Sequence, residues 1–269
     1  SGAIPLARAA DRRAFVEAAA AGQPRALANN RYSADIVAVA CARDVLRDVP
    51  ELRTDNALPR WLMEMAGIPV EDFPRRSRLG IDIDGPLDLV LLGEPWLATL
   101  TDAHTLQART TLDRIRGVTA DRGAELVIAG RLSAATLAWL ERRTASRTRA
   151  LVEERGLRTA GPDQRRAASV LGALLEIEGP GAFGAHLARL GDAAIVDSRV
   201  LLAHRYGADE RAWPVMEDRF ASDLLLHERV NDPWLRDLTR AAAEAPIPIL
   251  LGGHTLVGPG LRLALRQRV

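Results

Sequence analysis

The sequence predicts an α/β fold, a mainly parallel sheet with helices on both faces, and it leaves room for a second α/β lobe. Two observations point there. Apolar strand candidates alternate with helical segments along most of the chain, the pattern that parallel crossovers require. Residues 80–92 read strand, turn, helix: Asp82 and Asp84 alternate with Ile81 and Ile83, and Gly85-Pro86 stop the run. Pro86 suits the first turn of the following helix, and Asp88 sits where the helix dipole favours negative charge.

In chain order, a helix is expected over Ala9–Ala21 and a short strand over Arg25–Ala28, ending at Asn29 and Asn30. Ser33 is read as the N-cap of a helix reaching Val49, with Asp35 in its first turn and Pro50 as its stop. Asp55 or Asn56 caps the next helix, which carries Leu58, Trp61, Leu62 and Met65 at helical spacing and closes at Gly67. Helices are expected over Leu87–Leu100 and Leu106–Arg116, then a strand over Glu125–Ala129. Ser133 caps a long helix through Leu151, stopped at Gly156. Further helices fall at Gln164–Glu176, Ala182–Leu190 and Asp232–Ala243, and strands at Ala194–Val196 and Ile247–Leu251. Gly117 and Gly123 bracket a polar stretch before a new strand, which places a division between residues 1–122 and 123–269.

Composition narrows the chemistry. The chain has 269 residues, 48% of them hydrophobic, enough for a sizeable core. All 36 basic residues are arginine, so Schiff-base, general-base and P-loop lysines are excluded, and phosphate binding falls to guanidinium groups. A net charge of +1, four Phe and two Tyr do not favour nucleic acid as a partner. Cys41 is the single cysteine, which rules out an internal disulfide and a multi-cysteine zinc site, and it is read as a packed residue inside a helix. No apolar run is long enough to span a membrane and the N-terminus does not read as a signal peptide, so a cytoplasmic location is expected. The sequence leaves the oligomeric state open.

Three polar constellations are candidates for a site. Asp82 and Asp84, projecting from a strand end, are hard oxygen ligands of the kind that hold Mg²⁺ beside a phosphate. Asn29, Asn30, Ser33 and Asp35 cluster at a strand-to-helix junction, where α/β sheets place their ligands. Gly252, Gly253, His254 and Thr255 follow a strand, where glycines admit a close ligand and successive amides can form an anion nest, with His254 as the acid–base or phosphate-contacting group. Asp197, Arg199 and His204 lie on or just after another strand, and Asp223 and His227 stand four residues apart, a spacing that shares a helix face. Arg142, Arg143, Arg147 and Arg149 form a stripe on the expected long helix.

The stretch from Leu27 to Leu92 resembles the closing part of a MobA-like nucleotidyltransferase domain of the GT-A type. The residues that carry this are Asn29-Asn30, Ser33-Ala34-Asp35, Asp55-Asn56 and above all Asp82-Ile83-Asp84-Gly85-Pro86-Leu87-Asp88-Leu89. The resemblance implies a nucleotidyltransferase or sugar-nucleotide transferase that acts on a nucleotide or phosphorylated small molecule. It implies Asp84 as the Mg²⁺ ligand and Asp82 as the neighbouring acid, with Arg78 among the arginines that replace a missing lysine. Gly85 stands where the family commonly has Thr, and the family's opening glycine-rich nucleotide loop has no counterpart in this chain. These departures keep an alternative in view, a non-catalytic α/β ligand-binding or scaffold protein.

Overall fold

A computed structural model describes residues 4–32, 34–52, 56–73, 76–154 and 167–266. The chain divides into two compact units, Ser1–Asp84 and Gly85–Val269. The predicted division at residues 122 and 123 falls inside the second unit.

The first unit contains α1 (Ala9–Ala19), β1 (Ala26–Ala28), β2 (Val37–Val39), α2 (Ala42–Val45), α3 (Leu58–Glu64), β3 (Val70–Asp72) and α4 (Arg76–Leu79). Its three strands lie in the order β2-β1-β3, with β1 antiparallel to β2 and parallel to β3. Side-chain alternation gives this small sheet two apolar faces. Leu27 and Ala38 pack with Phe15 and Ala18 of α1, while Ala26, Ala28 and Val70 pack with Leu62 of α3. Phe15 stacks on Phe73 with ring centroids 5.3 Å apart.

Two expectations are corrected here. The helix predicted from Ser33 to Val49 is replaced by β2 and the four-residue α2. Val37 and Val39 take ladder positions opposite Ala28 and Ala26, a tertiary pairing that overrides the local helical pattern. Cys41, with φ of 53°, stands at the turn between them and not within a helix. The strand predicted at residues 80–84 forms no ladder. The Ile83 amide donates instead to the Asp82 carboxylate at 2.8 Å, a local bond that competes with strand pairing.

The second unit carries α5 (Pro86–Leu92), α6 (Asp102–Ala120), β4 (Glu125–Gly130), α7 (Ala134–Arg143), β5 (Arg147–Val152), α8 (Val170–Glu178) and α9 (Phe183–Ala188). These are followed by β6 (Ala193–Asp197), α10 (Ser198–Tyr206), α11 (Met216–Asp223), α12 (Pro233–Ala243), β7 (Ile249–Gly252), α13 (His254–Val257) and α14 (Leu261–Ala264). The strands form an all-parallel sheet in the order β5-β4-β6-β7, flanked by helices. The chain moves outward from β4 to β5, returns past β4 to β6 and continues to β7. Right-handed crossovers in opposite directions set their helices on opposite faces. Helix α6 packs on β4, β6 and β7, and α12 packs on β7. Buried Ala108, Leu112 and Ile115 form the inner stripe of α6, and Leu235, Leu238, Thr239 and Ala242 that of α12. Asp232 caps α12 by accepting from the Leu235 amide at 2.7 Å.

Strands β4, β6 and β7 are buried almost throughout, whereas β5 is the exposed edge. This corrects the long helix expected after Ser133: α7 ends at Arg143, and Arg147 and Arg149 stand on a strand. The polar run Thr144-Ala-Ser146-Arg147-Thr148 lacks an apolar signal because only one side of an edge strand is covered, and its charges oppose pairing with another chain. The helix expected over Leu87–Leu100 stops at Gly93, with φ of 72°. The predicted stop at Gly156 and start at Gln164 lie outside the described residues. Among the described residues no helix is long and apolar enough to cross a membrane.

Ile128 is fully buried in β4, next to both β5 and β6. Ile128→Ala is expected to lower the unfolding free energy by about 2–5 kcal/mol in a guanidinium titration, through lost burial and a residual cavity.

Candidate functional site

In each unit, polar side chains gather where parallel strands end. In the first, Asn29 directly follows β1 and is almost wholly buried. Its Oδ1 accepts from the amides of Asp35 and Ile36 at 3.1 and 3.3 Å. Its Nδ2 donates to an Asp35 carboxylate oxygen at 3.1 Å and to the Leu79 carbonyl at 2.8 Å. One amide side chain therefore holds the loop bearing Asp35 and the start of the segment bearing Asp82 and Asp84 at the same strand end. Asp82 is half-buried and Asp84 exposed. The Asp82 carboxyl is pushed up to about 6 by burial and by repulsion from Asp84 and Asp35, against the opposing Ile83 amide. Asn30 accepts from the Tyr32 amide at 3.1 Å, an ordinary turn contact.

In the second unit the carboxyl edge of the sheet is a network of buried charge. Asp197, at the end of β6, has no exposed surface and receives both arms of Arg131, at 2.6 and 3.1 Å. It also caps α10 by accepting from the Arg199 amide at 3.2 Å. Arg199 grips Asp223 with two contacts of 2.6 Å and donates to Ser198 Oγ at 2.9 Å. Ser198 in turn donates to the Gly252 carbonyl, tying the end of β6 to that of β7. Burial opposes the charge on Arg199, but Asp223, Asp197 and Asp88 hold its pKa above the ordinary value. Gly130, with φ of 127°, lies so close to Asp197 that a Cβ would collide with it.

The predicted Gly252–Thr255 loop has a packing explanation. A Cβ on Gly252 would stand 2.7 Å from Leu256 and 2.9 Å from Leu87. Gly253 is extended and leads into α13, so the amides do not form a concave nest; His254 opens that helix on the exposed side and Thr255 is buried.

Other predicted groups are placed apart from any shared site. Arg78 is committed to the buried Asp11 through both arms of its guanidinium, at 3.0 Å for Nε. His204 accepts from the Ser169 amide at 3.0 Å and faces Glu176 at 3.3 Å. Asp223 and His227 share no helix face, because α11 ends at Asp223 and Leu225 turns the chain with φ of 63°. Ser33, Asp55 and Arg75 lie outside the described residues. Among the described residues no group of three or more His, Cys, Asp or Glu side chains is gathered closely enough to hold a metal ion by itself.

Sequence reasoning missed Arg131 and the pairing of Arg199 with Asp223. The Gly130-Arg131 step at a strand end was a usable signal for the first; the second joins residues 24 apart across two helices and has no local mark. It also missed a cavity of about 400 Å³ lined by Thr119, Trp139, Arg143, Leu265 and Arg266.

Comparison with protein-family models, curated proteins and solved structures finds no match to this chain.

Asp223→Ala strands the buried Arg199 charge and is expected to cost about 3–5 kcal/mol of stability, read from chemical unfolding. Asp82 gives a pH prediction of defined sign. Its folded pKa lies above its ordinary value of 3.8, so the native state holds the proton longer than the unfolded chain. Stability contributed by this group therefore falls as pH rises from about 4 to about 6, and Asp82→Asn is expected to remove that slope in urea titrations across the same range.

Proposed function

We propose that the chain is a nucleotidyltransferase-like or sugar-nucleotide-transferase-like protein that holds a divalent cation, with Mg²⁺ the best chemical fit, at Asp84 and Asp82. The observation that carries this reading is the Asn29 clasp, which sets the Asp35 loop and the Leu79–Asp84 segment at the end of β1. Burial and mutual repulsion already raise the Asp82 carboxyl, and a cation relieves that repulsion. Mg²⁺ commonly takes only one or two protein carboxylates, with phosphate oxygens and water completing its shell, so two acids are a sufficient donor set. When bound, the cation supplies neutralisation of phosphate charge. Asn29 fixes the loop geometry, Asp84 presents the exposed ligand, and Asp82 adds a second carboxylate whose proton leaves on metal binding.

A second reading is a non-catalytic α/β ligand-binding protein. One observation favours it: Arg78, the described arginine nearest the acids in sequence whose contacts are defined, is held by Asp11 instead of being available to phosphate.

Thermal unfolding with a panel of nucleoside triphosphates, each with and without Mg²⁺, separates the two readings. The transferase-like reading expects a Mg²⁺-dependent rise in Tm with at least one nucleotide, lost in Asp84→Ala while that variant keeps the parent Tm without ligand. A shift that needs no metal and survives Asp84→Ala supports the binding-protein reading.

A further inference from the structure

Several arginines of the second unit are neutralised inside the fold. Arg131 and Arg199 are neutralised by buried carboxylates, and Arg116 pairs with Asp113 at 2.6 Å. The side chains of Arg143, Arg262 and Arg266 form no ion pair and no hydrogen bond among the described residues. These three come together at one place. Arg143 and Arg266 line the cavity of about 400 Å³, and Trp139, which also lines it, carries Arg262 over its ring at 5.8 Å from the centroid. The Arg262 Nε is buried with no hydrogen-bond partner. A buried guanidinium N–H without an acceptor is costly, and the two cations that line the concavity, Arg143 and Arg266, repel one another.

The walls of the cavity are fixed. Arg116 of α6 donates to the Ala264 carbonyl at 2.7 Å, which ties α14 to α6. The Ala145 amide donates to the Thr119 carbonyl at 2.8 Å, holding the turn after α7 against the end of α6. Arg143 alone has a simpler explanation, since a cation in the last turn of α7 complements the helix dipole. Arg262 also falls in the last turn of a helix, but α14 has only four residues and so a slight dipole, and Arg266 lies beyond it. The cavity has the volume of a small-molecule site, and its charge calls for an anion of more than one unit. Planar guanidinium forks match phosphate oxygens, and the indole offers a flat apolar surface beside them.

We propose that this cavity is a metal-independent binding site for a small phosphorylated ligand, held by Arg143, Arg262 and Arg266 beside Trp139. The site is separate in its residues from Asp82 and Asp84 and does not rest on the cation reading.

The test is calorimetric titration of the full chain with inorganic pyrophosphate and with AMP, in EDTA, at low and high salt. Saturable binding that weakens with salt is expected. Arg143→Gln and Arg266→Gln, both exposed positions that leave folding intact, are each expected to weaken it about tenfold, the usual loss for one charge-assisted contact. Asp84→Ala is expected to leave it unchanged. AMP is expected to change tryptophan fluorescence in the parent but not in Trp139→Leu, although four other tryptophans remain. No saturable binding in EDTA, binding unaltered by both arginine variants, or binding lost equally in Asp84→Ala would overturn the proposal. Binding of oligonucleotide alone, with neither small phosphate, would also overturn it and assign the patch to nucleic acid.

Discussion

Asp197 has no contact with water, and the carboxyl edge of the parallel sheet is arranged around that constraint. A carboxylate removed from solvent must be paired and hydrogen-bonded or it will not stay ionised. Arg131 supplies the paired charge from the end of β4, and the Arg199 amide in the first turn of α10 supplies a further donor. The approach of β4 to β6 leaves no room for a side chain at the preceding position, which is why glycine stands at 130. Asp197 then sets its neighbours: Ser198 reaches the end of β7, and Arg199 turns to Asp223 on α11. The network that begins at this carboxylate thus links the ends of β4, β6 and β7 with α10 and α11.

The absence of lysine makes this arrangement easier to interpret. Arginine stays charged in nearly any surroundings, so each guanidinium must find an acceptor, remain in water or wait for a ligand. Arg78, Arg131 and Arg199 have found carboxylates inside the fold and act as cross-links. Among the described residues Arg143, Arg262 and Arg266 have not; Arg143 and Arg266 line a cavity, and Arg262 lies over the ring of Trp139 in its wall. A count of basic residues treats these groups alike; their partners separate structural charge from charge available to a ligand.

The acids of the first unit pose the opposite case. Asn29 is neutral and uses all of its hydrogen-bonding capacity to join Asp35, Ile36 and Leu79. It carries no charge to offset Asp35, and the Asp82 carboxyl is raised first by its own burial and then by repulsion from Asp84 and Asp35. The Asn29 clasp thereby fixes the Asp35 loop against the start of the segment that carries Asp82.

The sequence by itself determined the fold class, the buried strands β4, β6 and β7, the cap at Ser133, and the exclusion of lysine chemistry. It also named Asn29, Asp35 and Asp82, which the fold does bring into one neighbourhood. These features are local: apolar runs, period and capping act over a few residues and are written in adjacent positions. Only the tertiary structure decided that Val37–Val39 is a strand, that residues 80–84 are not, and that β5 is an edge carrying arginine. Ladder formation depends on which segment lies alongside, and a strand covered on one side need not look apolar. The same holds for charge. Arg78 meets Asp11 across 67 residues and Arg131 meets Asp197 across 66, so no spacing announces either pair. Burial then decides their roles, since a guanidinium beside a desolvated carboxylate is bound in place while an identical one at an unpaired cavity remains open to an anion.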